Sequence, residues 1–128
     1  MRKLTGSMLA AVLVLALGAC SSGGGGGNAS ATCKPAGSSL TEEAKSFKFV
    51  QDCLAAPAGA KFTIAFHNAD SGVPHNIAIL NSAGDKVFTG TIFTGDKTQT
   101  YDVGALPAGT YSFHCDVHPT MTGTFIAG

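Results

Sequence analysis

The sequence predicts an all-β protein, built as an antiparallel sandwich or barrel. Two observations support this fold class. Short segments alternate apolar and polar residues, and clusters of Gly, Pro, Asn and Asp separate them at intervals of roughly 8 to 12 residues. The one hint of a helix is "SLTEEAKS", where Ser39 and Glu42 have capping-box spacing. That segment is too short to change the fold class, and no internal repeat is visible.

The candidate strands follow one another from Phe47 to the C-terminus. The segments "FKFVQ" and "KFTIAFHN" alternate in polarity, and the second places Phe62, Ile64 and Phe66 on one face. The turn signals "NSAGD", "TGDK" and "LPAG" punctuate the rest of the chain. The remaining candidate strands are "HNIAIL", "KVFTGTIF", "KTQTYDV", "GTYSFHC" and "GTFIAG".

The same alternation sorts two of the four histidines. His67 falls opposite the apolar face of its strand, so we expect it to face solvent. His114 and Cys115 are neighbours in a strand, and adjacent strand residues point to opposite faces of a sheet. If Cys115 is a metal ligand, His114 is therefore expected not to be one.

Residues 1–19 have the features of an export signal. Arg2 and Lys3 precede the apolar run "MLAAVLVLALG", which is shorter than the about 20 residues that a transmembrane helix needs. The run ends in "LGAC", which resembles the bacterial lipobox. That resemblance implies removal of the signal and lipid modification of Cys20. The alternative is an ordinary secretory signal with a chance cysteine.

Residues 20–31 are predicted to form a tether behind this anchor. The segment "SSGGGGGNASA" has no apolar periodicity and five consecutive glycines, as in flexible linkers. A tether after a lipidated cysteine would let a folded domain, residues 32–128, reach away from a membrane. The alternative is a leader without a function.

Charge excludes one class of partner. Without Arg2 and Lys3, six basic residues stand against eight acidic ones, and they form no basic patch and no basic-aromatic pattern. Nucleic acid binding is therefore not expected. The balance is too even to indicate which proteins the domain meets.

The cysteines divide by role. Export implies an oxidising compartment, where paired thiols become disulfides. With Cys20 assigned to lipid and Cys115 to the cluster described next, Cys33 and Cys53 remain as a pair. A disulfide between them would stabilise the domain by about 3 kcal/mol on the chain-entropy model. The alternative is that Cys53 is simply buried beside Leu54.

The segment "FHCDVHPTM" has the highest density of metal-binding side chains. Cys115, His118 and Met121 are spaced three residues apart, and Pro119 rules out a continuous strand there. A tight loop leaving the end of a strand would direct all three side chains toward one point. A fourth ligand must come from elsewhere, and the candidate is His75 in "PHNIAIL".

This donor set indicates copper. A thiolate, two imidazoles and a thioether exclude calcium and magnesium. Structural zinc sites normally use only Cys and His, and thioether is a poor zinc ligand. A His₂Cys set with a weak axial Met is the blue-copper combination. The alternative is a surface turn with unrelated polar residues.

The segment "GTYSFHCDVHPTM", with "PHN" upstream, resembles the cupredoxins, the family of plastocyanin, azurin, pseudoazurin and amicyanin. The likeness runs from Phe47 to the C-terminus, and the Cys-x₂-His-x₂-Met spacing is most similar to the short amicyanin loop. It implies a Greek-key β-sandwich holding one type 1 copper ion. The implied ligands are His75, Cys115, His118 and Met121, and Asn76 would hydrogen-bond across to the ligand loop.

The resemblance also implies roles around the metal. His118 would lie near the surface as the port for electrons, with Val73, Pro74 and Pro119 around it. The implied apolar walls are Phe113, Val117, Phe125 and the segment "LAAPAG". Three features depart from the best-known members: the lipobox with its tether, the Cys33–Cys53 pair and Asp116. They leave the ligand set untouched but put the identity of the partners in doubt.

The function expected from these features is electron transport. The chain shows no nucleophile–base arrangement, no second metal cluster and no second cysteine near Cys115, so we expect no enzyme activity. We expect a monomeric one-electron carrier, lipid-anchored at the outer side of a bacterial membrane, that exchanges electrons with redox partner proteins. The alternative is an extracytoplasmic protein for copper handling or delivery. An adhesion module is a weaker alternative, because all four ligands are present.

Overall fold

The computed structural model describes residues 32–128, and this part of the chain forms nine strands. Residues 1–31, which contain the predicted signal and the whole predicted tether with Cys20, lie outside the described range. Between residues 32 and 128 there is no helix of the length and apolarity needed to cross a membrane. The strands are β1 (Ser39–Lys45), β2 (Lys48–Phe49), β3 (Cys53–Ala56), β4 (Phe62–Asn68), β5 (Ala78–Leu80), β6 (Lys86–Thr89), β7 (Lys97–Val103), β8 (Gly109–His114) and β9 (Thr122–Ala127).

The strands form two sheets that pack into a sandwich, which confirms the predicted all-β cupredoxin-like fold. One sheet has the order β2-β1-β4-β7 and the other has the order β3-β9-β8-β5-β6. Two pairings, β1 with β4 and β3 with β9, are parallel. The expectation of purely antiparallel pairing was therefore wrong. The chain changes sheets between β2 and β3, and this change lets β3 lie alongside the last strand in the same direction.

The segment with capping-box spacing is strand β1, so the hint of a helix was wrong. Leu40, Glu42 and Ala44 alternate inward along this strand, and Leu40 lies opposite Ile64 of β4. A helix of two turns is marginal in water, and the pairing with β4 outweighs its local preference. The domain thus begins with β1, ahead of the Phe47 start of the family likeness. The predicted strand "FKFVQ" is reduced to the two residues of β2.

The core lies between the two inward faces. Phe62, Ile64 and Phe66 of β4 are all buried on one face, as the alternation predicted. Phe62 stacks on Phe125 of β9 with ring centroids 5.2 Å apart, which ties one sheet to the other. Each fully buried Phe contributes about 1.5–3 kcal/mol through removal of apolar surface from water. This packed core provides the rigid frame for the site at one end.

A disulfide joins Cys33 to Cys53, as predicted. The Cα atoms are 6.0 Å apart, and the bond links the segment before β1 to the first residue of β3. It spans 20 residues of chain and therefore restricts the unfolded state. Within residues 32–128, Cys115 is left as the one free cysteine, and it is buried.

Candidate metal centre

The ligand loop follows directly after strand β8. Cys115 comes next after His114, the last residue of β8, and Thr122 begins β9. Three backbone hydrogen bonds fold the loop on itself: His118 N–H to Cys115 O at 3.3 Å, Met121 N–H to His118 O at 2.9 Å, and Cys115 N–H to Met121 O at 3.1 Å. The loop is thus a compact turn joining two antiparallel strands. This is the tight loop that the Cys-His-Met spacing predicted.

His75, in the segment before β5, brings its imidazole to the same ligand loop. Its backbone forms an isolated bridge with Phe93, with N–H to O distances of 3.1 Å in both directions. The regular strand β5 begins later, at Ala78, so the predicted strand from His75 is shorter than expected. The His75 side chain has no exposed surface. The bridge fixes the backbone that carries this imidazole.

Three donor atoms converge on one point. The Cys115 Sγ lies 3.7 Å from His75 Nδ1 and 3.7 Å from His118 Nδ1. All three donor atoms lie within 4.8 Å of one another. Met121, buried at 2% exposure, belongs to the same loop as Cys115 and His118. The structure therefore brings together the residues that the sequence singled out.

The spacing of these donors fits a first-row transition metal. Bonds of about 2.3 Å to sulfur and about 2.0 Å to nitrogen, spread about 120° apart, hold sulfur and nitrogen about 3.7 Å from each other. Both observed sulfur–nitrogen distances have this value. One thiolate and two imidazoles, with a thioether in the same loop, make the donor set of type 1 copper. The residues present fit this ion in chemistry and in spacing.

The four side chains differ in their access to solvent. His75 and Cys115 are fully buried, Met121 is almost so, and His118 is half-buried. Val73 and Pro74 are half-buried and Pro119 is exposed, in keeping with a His118 that borders the surface.

Two expectations about the surroundings have different outcomes. Phe113 and Phe125 are fully buried in the core. Val117 is 40% exposed, so its assignment as an apolar wall was wrong. It lies in the loop between Cys115 and His118, and much of its surface is in contact with solvent.

Asn76 connects the two parts of the chain that supply donors. Its Oδ1 accepts the backbone N–H of Asp116 at 2.8 Å, and its Nδ2 donates to the Asp116 carboxylate at 2.9 Å and to Gly90 O at 2.9 Å. Asn76 is fully buried. The structure thus contains the cross-loop hydrogen bond that the resemblance implied.

Asp116 places a negative charge next to Cys115. Burial by itself would raise the pKa of this carboxyl, but hydrogen bonds from Lys86, Asn76 and His114 lower the pKa to about 2. Lys86 Nζ lies 2.5 Å and His114 Nε2 lies 3.0 Å from its Oδ1. His114 is therefore directed to Asp116, on the opposite face of β8 from Cys115, as predicted.

His67 also lies where the alternation placed it. It is on the outward face of β4, where Nδ1 is 3.0 Å from Glu43 Oε2 and Nε2 is 2.7 Å from Asp96 Oδ1. These two carboxylates raise the pKa of His67. The ring is thus held in an ionic bridge on the surface of the sheet, apart from the three converging donor atoms.

Sequence reasoning missed two residues at the site, Asp70 and Phe47. Asp70 Oδ2 accepts the Nε2–H of His75 at 2.9 Å. The Phe47 ring meets the rings of His118 and His75 edge-on, with centroids 5.1 and 5.9 Å apart. One signal could have found Asp70, since a ligating histidine usually donates its other N–H to a carboxylate or carbonyl. Asp70 stands five residues before His75.

Comparison with known proteins places this geometry in a family. The family model described as the Cupredoxin-like domain matches residues 8–127. No curated protein sequence matches the chain. Among solved structures, auracyanin A, a "blue" copper protein of the green thermophilic photosynthetic bacterium Chloroflexus aurantiacus, aligns with a TM-score of 0.63 and 21% identity. That alignment covers 72% of this chain and 99% of auracyanin A.

Two further structures show how widely the fold is used. Amicyanin of Paracoccus versutus is 27% identical with a TM-score of 0.55, and the alignment covers 70% of this chain and 81% of amicyanin. A copper-containing nitrite reductase of Thermus scotoductus aligns at 17% identity and a TM-score of 0.54. There the alignment covers 70% of this chain but only 22% of the reductase. The likeness to the reductase shows the fold alone.

The fold and the donor set define a small β-sandwich protein with one thiolate metal centre. The family match extends over nearly the whole chain, and the chain belongs to the cupredoxin family. Its cofactor is one type 1 copper ion.

Proposed function

We propose that this protein is a one-electron carrier and that His75, Cys115, His118 and Met121 hold its copper ion. The observation that supports this most directly is the position of two imidazole nitrogens, each 3.7 Å from the same buried thiol sulfur. Type 1 copper, when bound, takes up and releases one electron between Cu(II) and Cu(I). The chain's own residues supply the geometry, the dry surroundings and the route to the surface.

The chain keeps the donor spacing fixed in three ways. The paired backbone hydrogen bonds to Phe93 hold His75, and the loop's own backbone bonds hold Cys115, His118 and Met121. Asn76 then links the two parts. Because the donors cannot move independently, the site changes little when an electron arrives or leaves. Such rigidity favours rapid electron transfer.

The burial pattern gives electrons a path but retains the ion. Cys115 and His75 are fully buried, so a competing chelator cannot reach them without opening the sandwich. His118 is half-buried and therefore borders the surface. An electron can therefore enter or leave through His118 while water stays away from the other donors. A delivery protein would instead need an open exchange path for the ion.

Redox cycling in the presence of a strong Cu(I) chelator tests this proposal. We expect the copper content to stay constant over repeated cycles of reduction and reoxidation. The His118→Ala variant lacks the half-buried donor, and it is the matched control that shows the chelator is effective, because it should lose copper at the first reduction. Loss of copper from the unmodified protein at the first reduction would overturn the carrier function and favour copper delivery.

We also propose an extracytoplasmic location, with residues 1–19 as a signal peptide, Cys20 as the lipidated residue and 20–31 as the tether of the cupredoxin domain 32–128. The lipobox likeness and the glycine run support this arrangement. A tethered monomer could then move between redox partner proteins near the membrane.

Fractionation of bacteria expressing the full chain tests the anchor. The protein should collect with the membranes, and the Cys20→Ser variant should appear in the soluble exported fraction. An unmodified Cys20 in a soluble mature protein would contradict the anchor and leave the copper site unaffected.

We further propose that the protein has no enzymatic activity of its own. The alignment with the nitrite reductase covers only 22% of that enzyme's chain, so most of the enzyme has no counterpart in this alignment. The cluster of donors in residues 32–128 supplies one metal site.

A further inference from the structure

A single carboxylate connects a copper-binding histidine to a strained turn. Asp70 Oδ2 accepts the Nε2–H of His75 at 2.9 Å and the backbone N–H of Phe47 at 3.0 Å. Asp70 Oδ1 accepts the backbone N–H of Ser46 at 2.7 Å. Both oxygens are therefore occupied, and all three partners are donors. Asp70 itself is fixed by its backbone N–H, which donates to Asn68 Oδ1 at 3.0 Å.

The turn held by Asp70 has an unfavourable backbone. Ser46 and Phe47 have φ values of +53° and +58°, in the left-handed region that residues with a side chain rarely adopt. Two consecutive residues in this region make the backbone of the turn energetically unfavourable. The two N–H groups that this conformation directs inward both donate to Asp70. The carboxylate therefore compensates for the turn's conformational cost.

The turn places an aromatic ring over the metal site. The Phe47 side chain is 53% exposed, although its ring meets the edges of both His118 and His75. A large apolar side chain gains little by leaving half of its surface in water. The turn, and not burial, therefore holds Phe47 in this position.

We propose that Asp70 is a positioning residue that orients His75 and holds Phe47 over the copper site, so that it lowers the reduction potential and slows copper loss. This inference rests on the proposed copper function. The carboxylate acts through His75 and does not touch the ion.

Two physical effects give the sign of the potential change. A negative charge near the site stabilises Cu(II) more than Cu(I). A carboxylate that accepts the second N–H of a ligating imidazole also makes that ligand a stronger donor and fixes its tautomer. Here the tautomer with hydrogen on Nε2 leaves Nδ1 free to face Cys115. Both effects favour the oxidised state and therefore lower the potential.

The Asp70→Asn variant separates these roles because an amide has one accepting oxygen in place of two. If that oxygen accepts the Ser46 N–H, the hydrogen bonds from His75 and Phe47 are lost. If it accepts from His75 and Phe47, the hydrogen bond from Ser46 is lost. Asp102→Asn is the matched control. Asp102 is an exposed carboxylate of β7 that pairs with Thr63, near the opposite end of β4 from Asn68.

The first measurement uses the metal-free protein and amide hydrogen exchange. In Asp70→Asn, at least one of the Ser46 and Phe47 amides should exchange at least tenfold faster than in the unmodified protein. Asp102→Asn should leave both amides protected. Unchanged protection in Asp70→Asn would overturn the role of Asp70 in holding the turn, whatever the metal site does.

The second measurement uses the copper-loaded proteins and equilibrium redox titration. Asp70→Asn should shift the equilibrium constant for reduction at least tenfold toward Cu(I), which is 59 mV for a one-electron couple. Asp102→Asn should stay within twofold of the unmodified protein. Equal shifts in the two variants would overturn the proposed effect of Asp70 on the potential.

A Phe47→Ala variant tests the ring separately, because its backbone N–H can still donate to Asp70. Copper loss to a Cu(I) chelator should become at least tenfold faster, and a rate equal to that of the unmodified protein would overturn the covering role.

If Asp70→Asn does not fold, the Asp70→Glu variant tests the role of Asp70 instead. That variant keeps the charge and displaces the carboxylate, so faster amide exchange with a potential shift below tenfold supports the proposal. Unchanged amide exchange in Asp70→Glu overturns it.

The unmodified protein distinguishes failure of this inference from failure of the copper function. If it binds no copper through Cys115, the proposed function fails. The hydrogen-exchange comparison would still decide whether Asp70 holds the turn.

Discussion

Asn76 and Asp116 lie 40 residues apart in the chain, and two hydrogen bonds of 2.8 and 2.9 Å join them. Each residue directly follows a donor, Asn76 after His75 and Asp116 after Cys115. The bonded pair therefore sets the distance between the two parts of the chain that form the metal centre. Gly90 extends the link, since its carbonyl accepts from the same amide group.

Replacement of this amide should loosen the centre. Asn76→Ala leaves the Asp116 N–H and the Gly90 carbonyl without their partner, so the free energy of unfolding should fall by about 1–3 kcal/mol. Urea unfolding of the metal-free protein measures this loss. Copper should also leave Asn76→Ala faster than the unmodified protein. Asn81→Ala, in the turn between β5 and β6, is the control, and copper should leave it no faster than the unmodified protein. Equal copper release from both variants would contradict the role of Asn76.

Met121 is expected to set the potential as a weak axial donor. Met121→Gln should lower the potential and keep a copper site, because a harder donor favours Cu(II). Met121→Leu preserves the volume but removes the donor, so its potential should move upward. Redox titration of both variants measures the two shifts. If both variants have the same reduction potential as the unmodified protein, Met121 does not act on the ion.

Glu42 is a buried carboxyl whose Oε2 has no hydrogen-bond partner. Burial raises its pKa to about 7, although hydrogen bonds from the backbone N–H groups of Gln51 and Glu43 act to lower the pKa. The folded state therefore keeps this proton where the unfolded state has lost it, and stability should fall as pH rises from about 4.5 to about 7.

Glu42→Gln mimics the protonated carboxyl and should remove this part of the pH dependence. At pH 8 the variant should be more stable than the unmodified protein by on the order of 2 kcal/mol, and at pH 4 the difference should vanish. Asp102→Asn, at an exposed carboxylate, is the control and should change neither value. Chemical unfolding at both pH values gives the answer, and a constant difference between them would refute the linkage.

The Cys33–Cys53 disulfide determines how many thiols react before and after reduction. In the metal-free Cys20→Ser variant, unfolded without reductant, thiol titration should find one reactive group, Cys115. After reduction the count should rise to three, because Cys33 and Cys53 then react as well. Three thiols before reduction would show that the pair is not bonded. Cys33→Ser should lower the free energy of unfolding by about 3 kcal/mol.

Much of the fold and the site could be predicted from the sequence because strong local patterns coincide. The alternation of Phe62, Ile64 and Phe66 specifies a half-buried strand on its own, and the structure has it as β4. The spacing of Cys115, His118 and Met121 requires a tight loop, and the pattern of donors points to a thiolate copper site. Each of these features depends on residues close together in the chain.

The features that were missed depend on contacts between distant segments. Strand β1 has too few apolar residues for its sequence pattern to predict a strand. Its pairing with β4 is seen only in the assembled sheet. The contact of Asp70 with the turn spans 23 residues and requires two left-handed backbone conformations that neither Ser46 nor Phe47 favours. A local pattern contains no signal for such an arrangement.

Visible absorption during titration of the metal-free protein with Cu(II) tests the central claim most directly. We expect an intense band from thiolate-to-copper charge transfer that saturates at one copper per chain and disappears on reduction. Cys115→Ser should show no such band, while its circular dichroism remains that of the folded β-sandwich. An intense band that persists in Cys115→Ser, or its absence from the unmodified protein at full copper occupancy, would contradict a type 1 copper centre at His75, Cys115, His118 and Met121.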